Sequence, residues 1–339
     1  MKEVIVHVDP EIHCDLIDTE IPKPGPKEVL IKVNVSGMNP KDWKFPKGPK
    51  GAHNSGDDIA GTIVEVGSEV IGFRDGDRVA AFHVMGEPHG SFAEYAIAWA
   101  STTFLIPDKI SFEEAATLPL VCLTAVYGMF DLLGLPFPTR PATTEIPLLI
   151  YGASTSVGLV SIQYAKLAGI GPIIGVAGAG CQAAKDMGCD FVIDYRENKD
   201  VSGSIRAVLK DGQKLKYVWD CVSEKGSVEN SYGALDLDDG GAILVGLLGF
   251  DTAKFDTSKV TIFHEFVAAA HGDDPARRDL AFVACQLLTK WLAEDKFKPL
   301  KYKVMDGGLT GVEAGLKLLY DGKVSATKLV YRISDTPGL

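Results

Sequence analysis

The chain has 339 residues, of which 46% are hydrophobic and 23% are charged, and its formal net charge is −11 at pH 7. This composition is typical of a globular protein large enough for two domains with separate cores. The negative charge, without any basic run interleaved with aromatic residues, argues against nucleic acid as a partner.

The N-terminal segment MKEVIVHVDPEIHC has charges within its first three residues and no uninterrupted apolar core, unlike a secretory signal. We take GGAILVGLLGF as the longest apolar run, and it is too short to cross a bilayer. We therefore expect a cytoplasmic protein with no membrane partner. The six cysteines include no CxxC pair, which favours reduced thiols over a disulfide framework or a zinc knuckle.

The first part of the chain, from Met1 to about Phe130, begins with short β-branched runs separated by Gly, Pro and Asp. Such runs predict a small, mostly antiparallel β-domain. The following stretch SFEEAATLPLVCLTAVYGMFDLL predicts a helix, with Ser111 as its N-cap and Glu114 completing a capping box. Four prolines between positions 136 and 147 then predict a loop or an interdomain connector.

Beyond Pro147 the sequence alternates between short apolar strands and helices. The predicted strands are PLLIY, PIIGVA, FVID, KYVWD, GAILVG and a stretch near VTIFHEFVAA. This alternation predicts a parallel sheet with helices on both faces, hence an α/β fold. Two helices follow Pro275, and we expect the last strand, KLVYRI, to return to the first domain.

The stretch GASTSVG joins the first of these strands to a helix. That helix is recognised from apolar residues at helical spacing, Val157, Val160, Tyr164 and Leu167. The first N–H groups of a helix lack partners and its dipole is positive there, so the turn attracts an anion. Gly152 permits unusual dihedral angles, and Gly158 permits close approach of helix and strand. We predict a phosphate site that adds the hydroxyls of Ser154, Thr155 and Ser156; the alternative is a plain turn.

The sequence after this turn favours NADPH over NADH. In NAD sites a carboxylate about 20 residues beyond the turn binds the ribose hydroxyls. Here no Asp or Glu occurs from Leu159 through Lys185, so a 2′-phosphate is not repelled. Lys185, Tyr195 and Arg196 are the candidates for binding it, and each has a solvated surface residue as its alternative interpretation.

Two further stretches, DCVSE and VGLLG, follow the fourth and fifth strands of the predicted sheet. Ligands of open α/β sheets bind outside the carboxyl ends of the strands. We therefore predict that Cys221, Val222, Gly246 and Leu247 form part of the cofactor wall. For Cys221 the alternative is a buried, small hydrophobic residue.

Taken together, several stretches resemble the medium-chain dehydrogenase/reductase superfamily over nearly the whole chain. They include EVLIKVNVSGMNPKDWK, GDDIAGTIVEVGSEV, GSFAEYA, the GASTSVG turn, MGCDFVIDYRE and GKVSATKLVY. The resemblance is to its zinc-independent quinone and enoyl reductases, and the proline-rich insertion is similar to fungal enoyl reductases that serve polyketide synthases. It implies a GroES-like, mostly-β catalytic domain formed by residues 1–125 and 272–339, and a Rossmann NADPH-binding domain formed by residues 126–271.

The resemblance also bears on metal binding. The zinc alcohol dehydrogenases of the superfamily carry a Cys where this chain has Gly37 and a His where it has Asp57, and their lobe with four closely spaced cysteines is missing here. A catalytic zinc needs three protein ligands and a structural zinc four. His83 and His89 match no usual ligand spacing and are expected to be surface or loop histidines. We predict no metal.

Without a Lewis acid, conjugate reduction is favoured because its charge falls on a delocalised enolate. We expect NADPH-dependent reduction of an enone, a quinone or an enoyl thioester. The resemblance implies Lys44 and Thr124 as catalytic hydrogen-bond donors, with Asn39 and Asp42 shaping the nicotinamide wall. The alternative interpretation of Lys44 is a solvated cation on a loop. The alternative for Thr124 is a helix residue whose hydroxyl bonds its own backbone. Some enoyl reductases have a tyrosine after the NP motif, but DWKFPKGPKG has none, so the proton donor is unassigned.

Two other functions stay open at this point. One is an NADPH-dependent aldehyde or ketone reductase, and the other is a non-catalytic NADPH-binding protein. The expected partner is a small-molecule substrate, with a carrier-bound acyl thioester among the candidates. Either a monomer or a homodimer is compatible with the sequence.

Overall fold

The computed structural model describes all 339 residues, and the chain divides into two compact units. The first unit comprises Met1–Leu120 and Ala268–Leu339, and the second comprises Val121–Val267.

The chain forms fifteen strands. In chain order they are β1 Lys2–His7, β2 His13–Asp18, β3 Glu28–Gly37, β4 Asp58–Val66, β5 Arg78–Phe82, β6 Tyr95–Trp99, β7 Thr103–Leu105, β8 Leu148–Tyr151, β9 Ile173–Ala177, β10 Phe191–Asp194, β11 Tyr217–Asp220, β12 Ala242–Gly246, β13 Val260–His264, β14 Tyr302–Val304 and β15 Lys328–Arg332.

Nine α-helices accompany them. These are α1 Lys41–Lys44, α2 Phe112–Ala115, α3 Pro119–Val126, α4 Ser156–Leu167, α5 Cys181–Met187, α6 Val201–Ala207, α7 Ser227–Ala234, α8 Pro275–Ala293 and α9 Val312–Tyr320.

The first unit is built on a seven-stranded sheet in the order β14-β15-β3-β4-β5-β7, with β6 also pairing with β3. All of its pairings are antiparallel except that of β14 with β15, as predicted for a mostly antiparallel β-domain. The strand KLVYRI does return to this unit, because β15 pairs with β3. Alternate residues of β3 point into the core, where Val29, Ile31 and Val33 are buried.

The second unit contains a six-stranded, wholly parallel sheet in the order β10-β9-β8-β11-β12-β13. The predicted parallel sheet is therefore confirmed. Every residue of β8 and β9 is buried, which explains their continuous apolar character. The strand order reverses between β8 and β11, and ligands of such sheets bind in the crevice outside the carboxyl ends at that point.

The apolar stretch after Ser111 differs from its prediction in two ways. The capping box is present, with Glu114 N donating to Ser111 Oγ at 3.1 Å, but the single predicted helix consists of α2, α3 and a π-helix, Tyr127–Leu132. The run Phe112–Leu132 is also long and apolar enough to cross a membrane, so GGAILVGLLGF is not the longest apolar run. Because 83% of its most apolar window is buried inside the protein, we interpret this run as a helical segment of the core.

Candidate active site

The turn between β8 and α4 is shaped by its two glycines. Gly152 has a φ of 79°, and a Cβ added there would lie 2.6 Å from Val222 Cγ2. A Cβ on Gly158 would collide with the carbonyl oxygen of Gly152. Glycine is needed at 152 for the positive φ and at 158 because any side chain there would displace backbone, so the helix approaches the turn as closely as the sequence suggested.

The backbone of this turn leaves hydrogen-bond donors available. The N–H groups of Gly152 and Ala153 both donate to Val176 O at 2.9 Å, which fixes the turn against β9. Thr155 is the N-cap of α4, and its Oγ1 accepts from Gly158 N at 3.0 Å. Ser156 and Val157, the first two residues of α4, have N–H groups without a partner inside the helix. Together with the half-buried hydroxyls of Ser154, Thr155 and Ser156, these groups suit an anion.

The structure brings the other predicted wall residues to the same edge of the sheet. Tyr151, Asp220 and Gly246 lie side by side in the register of β8, β11 and β12. The predicted residues that directly follow or end these strands are Gly152, Cys221, Val222, Gly246 and Leu247. They form one continuous row, although their contact with a cofactor stays a prediction.

Sequence reasoning missed Asp220, which organises the loop after β11. Its buried carboxylate accepts from the N–H groups of Val222 and Ser223 at 2.9 Å and from Ser227 Oγ at 2.6 Å. Burial raises the pKa of Asp220, while these three hydrogen bonds act to lower it. Burial, with the nearby Asp220 carboxylate, also raises the pKa of the Cys221 thiol, which therefore stays protonated.

The three residues predicted to bind a 2′-phosphate lie around α5 and the end of β10. Tyr195 is exposed, and its hydroxyl lies 2.8 Å from the position of a Cβ on Gly178, just after β9. Arg196 donates to both oxygens of Asp194, from Nε at 2.9 Å and from Nη2 at 2.6 Å. Lys185 is exposed on α5 and forms no ion pair. The hydrogen bonds from Arg196 lower the pKa of Asp194 to about 2, so this carboxylate stays ionised.

In the first unit, Asn39 belongs to a buried polar network. Its Nδ2 donates to Asp58 Oδ2 at 2.7 Å, and its Oδ1 accepts from Lys328 Nζ at 2.5 Å. Lys328 also lies 2.7 Å from Asp58 Oδ2, and all three residues are at most 3% exposed. Asp42 is fully buried and accepts from Asn39 N at 2.7 Å.

A second group of charges surrounds Asp57. Lys41 Nζ bonds Asp57 Oδ2 and the carbonyl oxygen of Ser55, and lies 3.1 Å from Asp42 Oδ1. His83 Nδ1 lies 2.9 Å from Asp57 Oδ1, and its Nε2 lies 3.0 Å from Pro88 O. His83 lies in the loop that follows β5, as one of the two expected placements, but it is 1% exposed and therefore not a surface histidine. Asp57 and Pro88 supply the polar partners that allow a histidine to be buried.

The pKa shifts within this group follow from competing burial and charge. Burial acts to raise the pKa of Asp57, but Lys41 and His83 outweigh it and lower that pKa. Burial raises the pKa of Asp42 to about 7, and its neighbour Asp57 acts in the same direction. Burial acts to lower the pKa of Lys41, yet Asp57 and Asp42 raise it overall. The ammonium and the Asp57 carboxylate therefore form a buried ion pair.

The two predicted catalytic residues belong to different units. Lys44 is the last residue of α1, half-buried, with its Nζ 5.5 Å from the centroid of the Trp43 ring. Because Lys41 and Asp42 anchor the start of α1, the network fixes the helix that carries Lys44. Thr124 is buried in α3, one turn before the π-helix. Their catalytic roles stay predictions.

Two protein-family models match the chain. The Alcohol dehydrogenase GroES-like domain matches residues 25–108, and the Zinc-binding dehydrogenase model matches residues 156–269.

Relatives and solved structures agree with these matches. The trans-enoyl reductase fsr4 of Gibberella fujikuroi is 43% identical over 254 residues, which cover 72% of this chain and 74% of the relative. The trans-enoyl reductase resD of Aspergillus sclerotiorum is 34% identical over 333 residues, covering 90% and 92%. The solved structure of an alcohol dehydrogenase superfamily protein from Novosphingobium aromaticivorans has a TM-score of 0.81 at 22% identity, and the match covers 98% of this chain and 99% of that one. At this identity the last likeness shows the fold alone.

Proposed function

Because the chain belongs to the medium-chain dehydrogenase/reductase superfamily, as an oxidoreductase of the fungal trans-enoyl reductase type, we propose that it reduces an activated C=C with NADPH and without a metal ion. The substrate classes are an enone, a quinone or an enoyl thioester. The observation that carries the proposal is the glycine-shaped turn before α4, which suits the pyrophosphate of a nicotinamide coenzyme.

The residues of the second unit fit such a coenzyme. The free N–H groups of Ser156 and Val157 at the start of α4 suit a pyrophosphate. Gly152 and Gly158 allow the close packing that shapes this turn. The row formed by Cys221, Val222, Gly246 and Leu247 continues from this turn along the same edge of the sheet. When bound, the nicotinamide supplies the hydride that the β-carbon of the substrate accepts.

We assign the preference for NADPH to the region after β9. No carboxylate lies between Leu159 and Lys185 to bind ribose hydroxyls, and Lys185 has no acidic partner. Lys185 is thus the cation most free to neutralise a 2′-phosphate. Tyr195 provides a hydroxyl nearby. Arg196 donates to Asp194 from Nε and Nη2, and the other N–H donors of its guanidinium group are proposed to bind the phosphate.

The residues around Asp57 do not fit a catalytic zinc ion. One oxygen of Asp57 is bonded to the Lys41 ammonium and the other to His83, and Gly37 offers no ligand atom. A divalent cation here would have to displace a buried lysine charge, and a zinc site requires three protein ligands. We therefore propose that the reaction proceeds without a metal.

Without a metal, hydrogen-bond donors must stabilise the charge that develops on the substrate oxygen. We assign this role to Lys44 and Thr124, whose ammonium and hydroxyl groups donate protons in hydrogen bonds. Removal of one such donor typically lowers kcat by about 100-fold to 1000-fold. Asn39 and Asp42 act indirectly, because they hold the segment from which α1 begins.

Substrate profiling with stereospecifically deuterated NADPH tests the proposal. The acceptors are a quinone, an α,β-unsaturated ketone, an enoyl thioester with and without a carrier protein, and a saturated aldehyde. We expect deuterium at the β-carbon of the enone or the thioester. Reaction of the aldehyde alone would indicate a carbonyl reductase, and NADPH binding without any oxidation would indicate a non-catalytic binding protein; both results contradict the proposal.

Two variants locate the donors. Lys44→Met and Thr124→Val are expected to lower kcat by about 100-fold with the enoyl thioester. Lys47→Met is the matched control for the lysine, because Lys47 is exposed and also lies near Trp43, 4.9 Å from its ring centroid. If Lys44→Met and Lys47→Met have equal effects, Lys44 is not a donor. A cytoplasmic location and the choice between monomer and homodimer stay predictions that this experiment does not address.

A further inference from the structure

The N-terminal hairpin, formed by β1 and β2, places three metal-ligating side chains together. His7 and His13 are direct partners in the antiparallel register of this two-stranded sheet. Asp15 follows His13 by two residues on β2, so both side chains point to the same face of the strand. Cross-strand partners and residues two apart are the nearest neighbours on the face of a sheet.

The distances between these groups suit one ion. His7 Nε2 lies 3.0 Å from Asp15 Oδ2, and one donor atom from each of the three residues lies within 4.8 Å of the others. Ligand atoms about 2.0–2.2 Å from a tetrahedral ion lie roughly 3.3 Å apart, so the first distance is already close to that value. The rings of His7 and His13 are stacked, with centroids 4.3 Å apart, so the two imidazoles lie side by side.

The hydrogen bonding of His13 leaves the correct nitrogen for a metal. His13 Nδ1 lies 3.2 Å from the carbonyl oxygen of Glu11, which can only accept a hydrogen bond. Nδ1 therefore donates, and Nε2 carries the lone pair in the neutral ring. A metal-ligating histidine usually has its second nitrogen bonded to a carbonyl or carboxylate in this way.

The surroundings of the cluster are acidic. Glu313 of α9 accepts from Cys14 N at 3.0 Å, between His13 and Asp15 in the chain, and Glu11 precedes them. Lys317, which pairs with Glu313 at 2.6 Å, is the basic group close by. The two carboxylates, Glu11 and Glu313, outnumber the one ammonium, Lys317, so the local charge favours a cation.

We propose that His7, His13 and Asp15 bind one divalent transition-metal ion, with Zn²⁺ as the reference ion and water completing its coordination. Two imidazoles and one carboxylate are ligands that suit Zn²⁺, and Mg²⁺ instead prefers an oxygen-only environment. This site is independent of the proposed catalytic chemistry, to which none of the three residues contributes. The competing arrangement is a metal-free ion pair between protonated His7 and Asp15.

Metal binding would fix the outer strand of the hairpin. The last four residues of β2 are exposed, and β1 is its strand partner. The Lys2–Asp18 ion pair, at 2.7 Å, joins the strands at one end, and the three-residue cluster lies at the turn end. An ion bound by both strands would therefore protect the backbone amides of β2 from hydrogen exchange.

Zinc titration of the chelator-treated full-length protein, in competition with a chromophoric chelator, tests the site. Asp15→Asn and His13→Gln each remove one ligand, and Asp18→Asn is the matched control, with the same charge change on the same strand. We expect one Zn²⁺ per chain in the wild type and in Asp18→Asn, and binding at least about tenfold weaker in the other two variants. Hydrogen exchange at β2 should slow with Zn²⁺ but not with Mg²⁺.

The proposal is overturned if Asp15→Asn and His13→Gln bind Zn²⁺ as tightly as the wild type, or if the wild type does not bind it. Circular dichroism checks that the variants are folded. Should His13→Gln fail this check, Asp15→Asn and zinc-induced NMR shifts of the His7 and His13 rings decide, and unshifted rings contradict the proposal. Reductase activity does not enter any of these readouts, so this site and the proposed function stand or fall separately.

Discussion

The turn before α4 and the network around Asp57 handle charge in opposite ways. The turn carries no charged side chain, and its positive character comes from backbone N–H groups and the start of a helix. The network brings buried charges from separate segments together, and Lys41, His83 and Asp57 satisfy one another. An unfilled set of backbone donors attracts a ligand, whereas a satisfied network fixes the protein itself. We therefore propose that the turn serves binding and that the network serves positioning.

The largest effect is expected where the network loses a charge. Asp57→Asn leaves the Lys41 ammonium buried beside Asp42 alone, and breaking a buried pair costs about 3–5 kcal/mol in the free energy of unfolding. Urea unfolding measures this loss. The double variant Lys41→Met/Asp57→Leu should recover part of it, because it removes the unpaired ammonium but also takes a polar partner from Asp42 and from His83. A loss below about 1 kcal/mol would be that of an exposed pair and would contradict the network as described.

In the turn, a smaller effect is expected from Gly158→Ala. The added Cβ would collide with the backbone at Gly152 and Ala153, and such overpacking costs about 1–3 kcal/mol. Urea unfolding and a fluorescence titration with NADPH should show lower stability and weaker binding together. The control is Gly249→Ala, where an added Cβ meets nothing within 4 Å. Unchanged NADPH binding in Gly158→Ala would separate this turn from the coenzyme site.

The stability near the network is also expected to depend on pH, through His271. Burial, followed by the nearby His83, lowers the pKa of His271 from 6.5 to about 4, and its Nε2 lies 3.0 Å from Thr102 Oγ1. Because the folded state disfavours the protonated ring, the stability is fully present above pH 6.5 and is lost as the pH falls towards 4. One such group contributes a slope of at most about 1.4 kcal/mol per pH unit.

The variant His271→Gln keeps a hydrogen-bond donor but does not titrate, so its unfolding free energy should fall less steeply between pH 6.5 and 4. His264→Gln, an exposed histidine of the second unit, is the control. Equal slopes for His271→Gln and the wild type in urea unfolding at several pH values would show that His271 is not held neutral.

The smallest effect is expected at the coenzyme's 2′-phosphate. Lys185 is exposed, so loss of its charge in Lys185→Gln should weaken NADPH binding by about 1 kcal/mol, which is roughly fivefold. NADH binding should be unchanged, because NADH lacks this phosphate. Isothermal titration with both coenzymes measures the difference. Equal losses for NADPH and NADH would place Lys185 elsewhere in the site.

Features formed by residues close together in the chain could be predicted from the sequence, and contacts between distant residues could not. The capping box of Ser111 and Glu114 and the turn from Gly152 to Gly158 are local, so residue types and spacing were sufficient. Pro119 begins α3 and interrupts the helix that was predicted through it, a break that the missing N–H of proline explains.

The networks were beyond sequence reasoning for the opposite reason. Lys328 and Asp58 are neighbours only because β15 and β4 both pair with β3. The burial of the loop residue His83 was not predicted, because nothing close to it in the sequence indicates Asp57 as a partner. The sequence showed that Gly37 and Asp57 replace zinc ligands. It did not show that Asp57 pairs with Lys41, because that contact forms only in the folded first unit.

The most direct test of the account is kcat/KM of metal-stripped protein with an enoyl thioester, measured with NADPH and with NADH while bound metal is quantified by mass spectrometry. We predict full activity without any bound metal and at least about a tenfold preference for NADPH, equivalent to ~1.4 kcal/mol. Activity that disappears on metal removal and returns with Zn²⁺, or a preference for NADH, would contradict the account.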